Sequence, residues 1–162
     1  MTTIWDYEVS TEGCERNLSV PYARLEDATP EVGHPALLLA DTEGLAVGGM
    51  VLSIDAVLSR AVLDFTPGKL YRCYVRNVAT YNGGNEATFG SINIGDLIYY
   101  DDSGTMPAGV ELSTSPLDSG GAANTLWGHV IAMDLADEAL YPKGGATAST
   151  QRVGVLARGA GA

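Results

Sequence analysis

From Leu70 to Val78 apolar and polar residues alternate, with Tyr71, Cys73 and Val75 facing one way and Arg72, Tyr74 and Arg76 the other. This is the period-two pattern of a half-buried strand. Leu97 to Tyr100 has the β-branched and aromatic bias of a second strand, entered through Gly95-Asp96 and left through Asp102-Ser103-Gly104. With Val110 to Ser115 beyond the Ser-Gly turn, it predicts a β-hairpin. Gly128 to Ala132 and Arg152 to Leu156 read as two later strands, and the apolar runs Ala36–Ala40 and Gly44–Leu52 as two earlier buried ones. The period changes after Ser53, where Ile54, Val57, Leu58, Ala61, Val62 and Phe65 recur at intervals of three and four. That spacing predicts a helix packed on the sheet, with Ser53 as N-cap and Thr66-Pro67-Gly68 as terminator. A short helix is expected over Asp134–Tyr141, capped by Asp134 and ended by Pro142.

The ends lack such periodicity. Residues 1–35 mix Trp5, Tyr7, Val9, Val20 and Tyr22 with charges and turn residues, which predicts an extended N-terminal arm. Ordering it costs roughly 1 to 2 kcal/mol per residue, so it must lie either on its own domain or on a neighbour. Residues 36–156 form the β domain, with surface loops at Tyr81–Asn85 and Pro116–Asn124, and residues 157–162 a flexible Gly-Ala tail. The expected fold is mainly β: a small barrel or sandwich of about seven or eight strands with one packed helix and the arm.

Charge narrows the partners. The 162 residues carry a formal charge of −11, from 20 acidic against 9 basic side chains, and Asn77 to Pro142 has no Lys or Arg at all. Nucleic acid and anionic membrane require clustered basic residues and are not expected as partners. The acidic stretch reads as a solvated outer face, or as one that meets a basic partner or divalent cations. Lys69, Arg72 and Arg76 concentrate three of the basic residues near one strand. They form either an ordinary solvated strand face or a set of forks for carboxylates of a second copy. The N-terminal residues carry no secretory signal, and no run of about 18 apolar residues occurs to span a bilayer, so a soluble protein made in a cytoplasm is expected. Cys14 and Cys73 are expected to be reduced, Cys73 as a small core residue.

Candidate chemistry is sparse. His34 and His129 have no second ligand at metal-binding spacing, and Asp101-Asp102 suits turn capping better than calcium, since no EF-hand loop surrounds it. Nucleophile elbow, P-loop and dinucleotide fingerprint are all missing. No enzyme activity, cofactor or metal is expected. A hydrolase would need His129, Asp101 and a serine in one pocket. Trp127 fits either the core or an exposed platform, and with Trp5 and the tyrosines the latter would suit a β-sandwich module binding carbohydrate or a host surface.

The order of strands carries one likeness. Ile94-Gly95-Asp96-Leu97-Ile98-Tyr99-Tyr100-Asp101-Asp102, then Leu112-Ser113-Thr114, then the glycine-containing Gly128–Ala132 and the closing Arg152–Leu156, resembles the small capsid cement (head-decoration) proteins of tailed phages. The likeness spans about Gly68 to Leu156; the long connection from Asp134 to Gln151 departs from the compact family pattern. It implies a structural protein on the outer surface of the virion capsid, a homotrimer binding the major capsid protein without any cofactor. Candidate contacts on that reading are Ile4, Trp5 and Tyr7 in the arm and Arg72, Tyr74 and Arg76 on the strand.

Overall fold

The computed structural model describes residues 16–40, 46–82, 85–88, 92–104, 106–133 and 150–159. The architecture is mainly β. Four strands, β1 (Asn17–Pro21), β2 (Pro35–Leu38), β3 (Val47–Asp55) and β4 (Arg60–Asp64), form an antiparallel sheet in the order β1-β4-β3-β2. Five others close a barrel in the order β10-β11-β5-β9-β8: β5 (Leu70–Arg76), β8 (Leu97–Tyr100), β9 (Leu112–Ser113), β10 (Thr125–Met133) and β11 (Thr150–Ala157). A separate hairpin joins β6 (Val78–Asn82) to β7 (Asn85–Thr88).

The hairpin expected from Gly95-Asp96 onward is present: β8 and β9 pair antiparallel, Tyr100 opposite Leu112, and Gly95 takes a left-handed φ of +94°. The two late strands pair directly despite the long connection between them, with Val130 opposite Val155.

The helix expected from Ser53 does not form. Residues 53–64 lie instead in β3, a tight turn and β4, and the only helix among the described residues is a single 3-10 turn at Tyr22–Arg24. The Asp55 carboxylate accepts hydrogen bonds from the amides of Val57 and Leu58, which turns the chain back instead of starting a helix. Beyond the turn, β4 lies between β1 and β3 and alternates, burying Ala61 and Leu63. Three positions assigned to the buried helix face, Ile54, Val57 and Leu58, are therefore exposed, Val57 at 93%. The segment expected as an arm is, from Asn17, the edge strand β1, held to β4 from Asn17–Asp64 to Pro21–Arg60.

Two cores result. One lies on the outer side of the four-stranded sheet and contains Val20, Leu25, Ala36, Val51, Ala61, Leu63 and Phe65. The other fills the barrel and reaches the sheet through Leu37 and Met50, with Cys73, Val75, Ile98, Leu112, Trp127, Val130, Val153 and Val155 packed around them. Each large aliphatic side chain taken out of water this way contributes about 1.5 to 3 kcal/mol. Trp127 sits at a β-bulge in β10, between Leu126 and Gly128, and is 1% exposed. A Cβ on Gly48 of β3 would lie 2.5 Å from Trp127 Cδ1, so the indole packs against bare backbone where barrel and sheet meet.

A polar hub ties the same two units together. Asp64, at the end of β4, receives the Lys69 ammonium at 2.6 Å and the Tyr71 hydroxyl at 2.5 Å on Oδ2, while Oδ1 accepts the Thr66 amide. Burial opposes ionisation of this carboxyl, but Lys69, Thr66 and Tyr71 outweigh it and bring the pKa down to about 2.

Candidate docking face

Strand β5 presents the alternation its sequence predicts. Cys73 and Val75 point into the barrel, while Leu70, Arg72 and Tyr74 are exposed and Arg76 is partly covered, its Nη1 donating to Thr150 Oγ1 at 3.4 Å. Arg72, Tyr74 and Arg76 thus share the outer face of one strand, about 7 Å apart in succession. Ile4, Trp5 and Tyr7, the other expected contacts, lie outside the described residues.

The barrel's register extends this face sideways. Leu70 is opposite Leu156, Leu156 opposite His129, and His129 opposite Leu97. Directly paired residues point to the same side of a sheet, so the four side chains form a row across β5, β11, β10 and β8. Leu70 is 51% exposed and Leu97 49%, with His129 exposed between them and Ile131 beside it on β10. Because side chains in this row come from four strands distant in sequence, no local pattern announces it; each apolar residue looks like an isolated surface leucine.

Along β5 runs a groove of about 390 Å³, bounded by Arg72 and Tyr74 on one side and by His34, Pro35, Gly109 and Glu111 on the other. His34 Nδ1 is 2.8 Å from Glu111 Oε1, and its Nε2 is 3.4 Å from Glu31 Oε2. The sheet's loop is thereby fastened to the barrel's rim. Burial pushes the Glu111 carboxyl above the usual carboxylate range, with the His34 contact pulling the other way.

The residues named for other chemistries are not assembled for it. His129 is on the outer row opposite Leu97, four residues from Asp101 along β8, a separation of about 13 Å in extended chain. Asp101 is buried, with Oδ1 accepting from Ser103 and Oδ2 from Ser113, which is the turn-capping role expected of it. Trp127 is in the core and offers no surface platform. Among the described residues no group of three His, Cys, Asp or Glu side chains is placed to hold a metal ion, and no helix is long and apolar enough to cross a membrane.

No family model, curated protein or solved structure matches the chain.

Proposed function

We propose that this protein is a structural capsid decoration protein that binds the outer surface of a phage head as a homotrimer and bridges major capsid protein subunits. The observation that carries the reading is the outer barrel face, where an arginine and tyrosine column on β5 meets an exposed row of aliphatic side chains. Arg and Tyr are the residue types that most often dominate interface energetics, and aliphatic surface beside them supplies the water-excluding surround. The strand order that resembles capsid cement proteins supports it too, since all of its segments belong to the closed barrel.

The physical logic is additive. Each copy contributes modest contacts, but a subunit that engages several neighbours at once loses them together or not at all, so a shell gains resistance through many weak seams. Co-sedimentation with purified heads tests this. The protein is expected to pellet with expanded, undecorated heads and to leave unexpanded ones in the supernatant, with light scattering giving the mass of a trimer. A monomer that pellets with neither overturns the reading.

A further inference from the structure

His34 stands where the four-stranded sheet meets the rim of the barrel, in the loop that leads into β2. Its backbone is fixed on the sheet's side: the carbonyl accepts the Val51 amide at 3.0 Å, and the amide donates to Glu31 O at 3.2 Å. Its ring bridges to the barrel. Nδ1 lies 2.8 Å from Glu111 Oε1 and Nε2 lies 3.4 Å from Glu31 Oε2, so each ring nitrogen faces a carboxylate oxygen. Residues 107–110, just ahead of Glu111, carry no ionisable side chain, and a Cβ on Gly109 would lie 3.7 Å from His34 Cε1. Across the groove of about 390 Å³, β5 contributes Arg72, Cys73 and Tyr74. Asp27, from the same loop as Glu31, adds its charge to those acting on Glu111.

We propose that His34 is a pH-sensitive latch: protonated, it holds the sheet's loop against the barrel's rim and keeps the groove along β5 narrow; neutral, it lets the rim at residues 107–110 draw back. A neutral imidazole has one N–H and one bare lone pair, while an imidazolium donates from both nitrogens. Set between two carboxylates, the neutral ring satisfies one and turns its lone pair toward the other. Only the charged form suits both. The two contacts differ in weight, because the Glu111 side chain is 19% exposed and that of Glu31 is 73% exposed. Water screens the Glu31 pair, so the link that crosses from sheet to barrel is the stronger one.

Glu111 depends on the same proton. Among the described residues His34 is the only basic side chain within hydrogen-bonding range of this carboxylate. When the ring becomes neutral, a largely covered carboxylate is left facing no cation, which favours its moving out toward water. Arg72 across the groove opposes the charge on His34, while Glu31, Glu111 and Asp27 favour it. The rim is able to respond because little else holds it: residues 107–110 are closed by a single turn bond from the Val110 amide to Pro107 O, with Gly109 at a φ of +76°. The sheet and the barrel stay joined through the Asp64 hub, which does not include His34, so the movement is confined to the groove.

The latch belongs to the chain alone, so its test uses the whole protein without capsids, and its failure is separate from that of the capsid reading. A His129→Gln background leaves His34 as the only imidazole. The shifts of both ring nitrogens are followed by NMR from about pH 5 to 8, the range in which a histidine changes charge. Amide hydrogen exchange, corrected for its intrinsic pH dependence, is read in parallel. Protection of the Val110 amide is expected to fall about twofold to fivefold as His34 loses its proton, while that of Val130, whose amide donates to Asp96 O, holds constant. His34→Gln and Glu111→Gln should each make the Val110 protection independent of pH. Val110 protection that stays constant while His34 titrates overturns the proposal. So does an unchanged pH dependence in either variant, or a ring that stays singly protonated throughout the range.

Discussion

The Asp64 carboxylate and the Tyr71 hydroxyl meet at 2.5 Å across the junction between the four-stranded sheet and the barrel, and Lys69 shares the same oxygen. The side chain of Asp64 is fully covered while that of Lys69 is 32% exposed. Charge at this junction is therefore built in at the acidic end and reaches solvent at the basic end.

Acid should loosen this junction. The Asp64 pKa is lowered from 3.8 to about 2, so the unfolded chain binds the proton more tightly than the folded one. The contribution is fully present above about pH 4, and is lost as pH falls through the folded value near 2; it amounts to about 2 kcal/mol. Urea unfolding between pH 2 and pH 5 should show that decline in the wild type and not in Asp64→Asn. The variant should also be less stable at pH 7 by about 2 to 4 kcal/mol, because Lys69 loses its partner. Equal slopes for both proteins would remove Asp64 as the cause.

The Glu26 carboxyl, whose pKa is pushed up by the neighbouring Asp102 carboxyl and by burial, has the opposite sign. A carboxyl whose pKa is raised on folding stabilises below its unfolded value, and that contribution is lost as pH rises through the folded one. Glu26→Gln should accordingly be more stable than wild type at pH 7, by less than about 1 kcal/mol given the exposure of Glu26, and indistinguishable from it below pH 4. Thermal melts at pH 3.5 and pH 7 measure both halves of the expectation.

Gly48 leaves no room for a side chain. An added Cβ would lie 2.5 Å from Trp127 Cδ1 and 2.8 Å from Nε1, so Gly48→Ala must displace the indole. A loss of about 1 to 3 kcal/mol is expected, read from chemical denaturation. The indole Nε1 is itself buried without a partner. Trp127→Phe removes that donor along with some volume, and should cost less than the 3 to 5 kcal/mol typical of a large core truncation, ~1 to 2 kcal/mol.

On the docking face, stability and binding should separate. Tyr74 is 41% exposed, so Tyr74→Ser should change unfolding free energy by no more than about 0.5 to 1 kcal/mol. If this face meets the capsid, the same substitution should weaken co-sedimentation with expanded heads by about tenfold or more, and Leu70→Ser should act in the same direction. Unchanged pelleting of both variants would move the contact elsewhere on the molecule.

Much of the barrel is legible in the chain because its strands alternate: Leu70–Arg76 and Leu97–Tyr100 show their faces in sequence, and the inward residues Cys73, Val75 and Ile98 are the buried ones. The stretch 53–65 misleads for a physical reason. Its aliphatic residues satisfy a 3.6-residue period, while the decision between helix and hairpin rests on Asp55 bonding forward to Val57 and Leu58 and on β1 and β3 flanking β4. The row from Leu70 to Leu97 depends on register between strands up to 86 residues apart, as in Leu70 opposite Leu156, and periodicity within a segment carries no information about that.

Strand β11 lies between β10 and β5 in the barrel order, paired with β5 from Thr150 to Leu156 and with β10 from Val153 to Ala157. It is the last of the barrel's five strands in chain order, and the one that the other four must wait for. Until residues 150–157 have been made, β5 and β10 stand with open edges and the core residues Val75 and Val130 have no wall on that side. Such a nascent chain is exposed to mispairing for as long as synthesis lasts. The keystone of this barrel is thus also its timekeeper, since the barrel cannot close before that strand has been made.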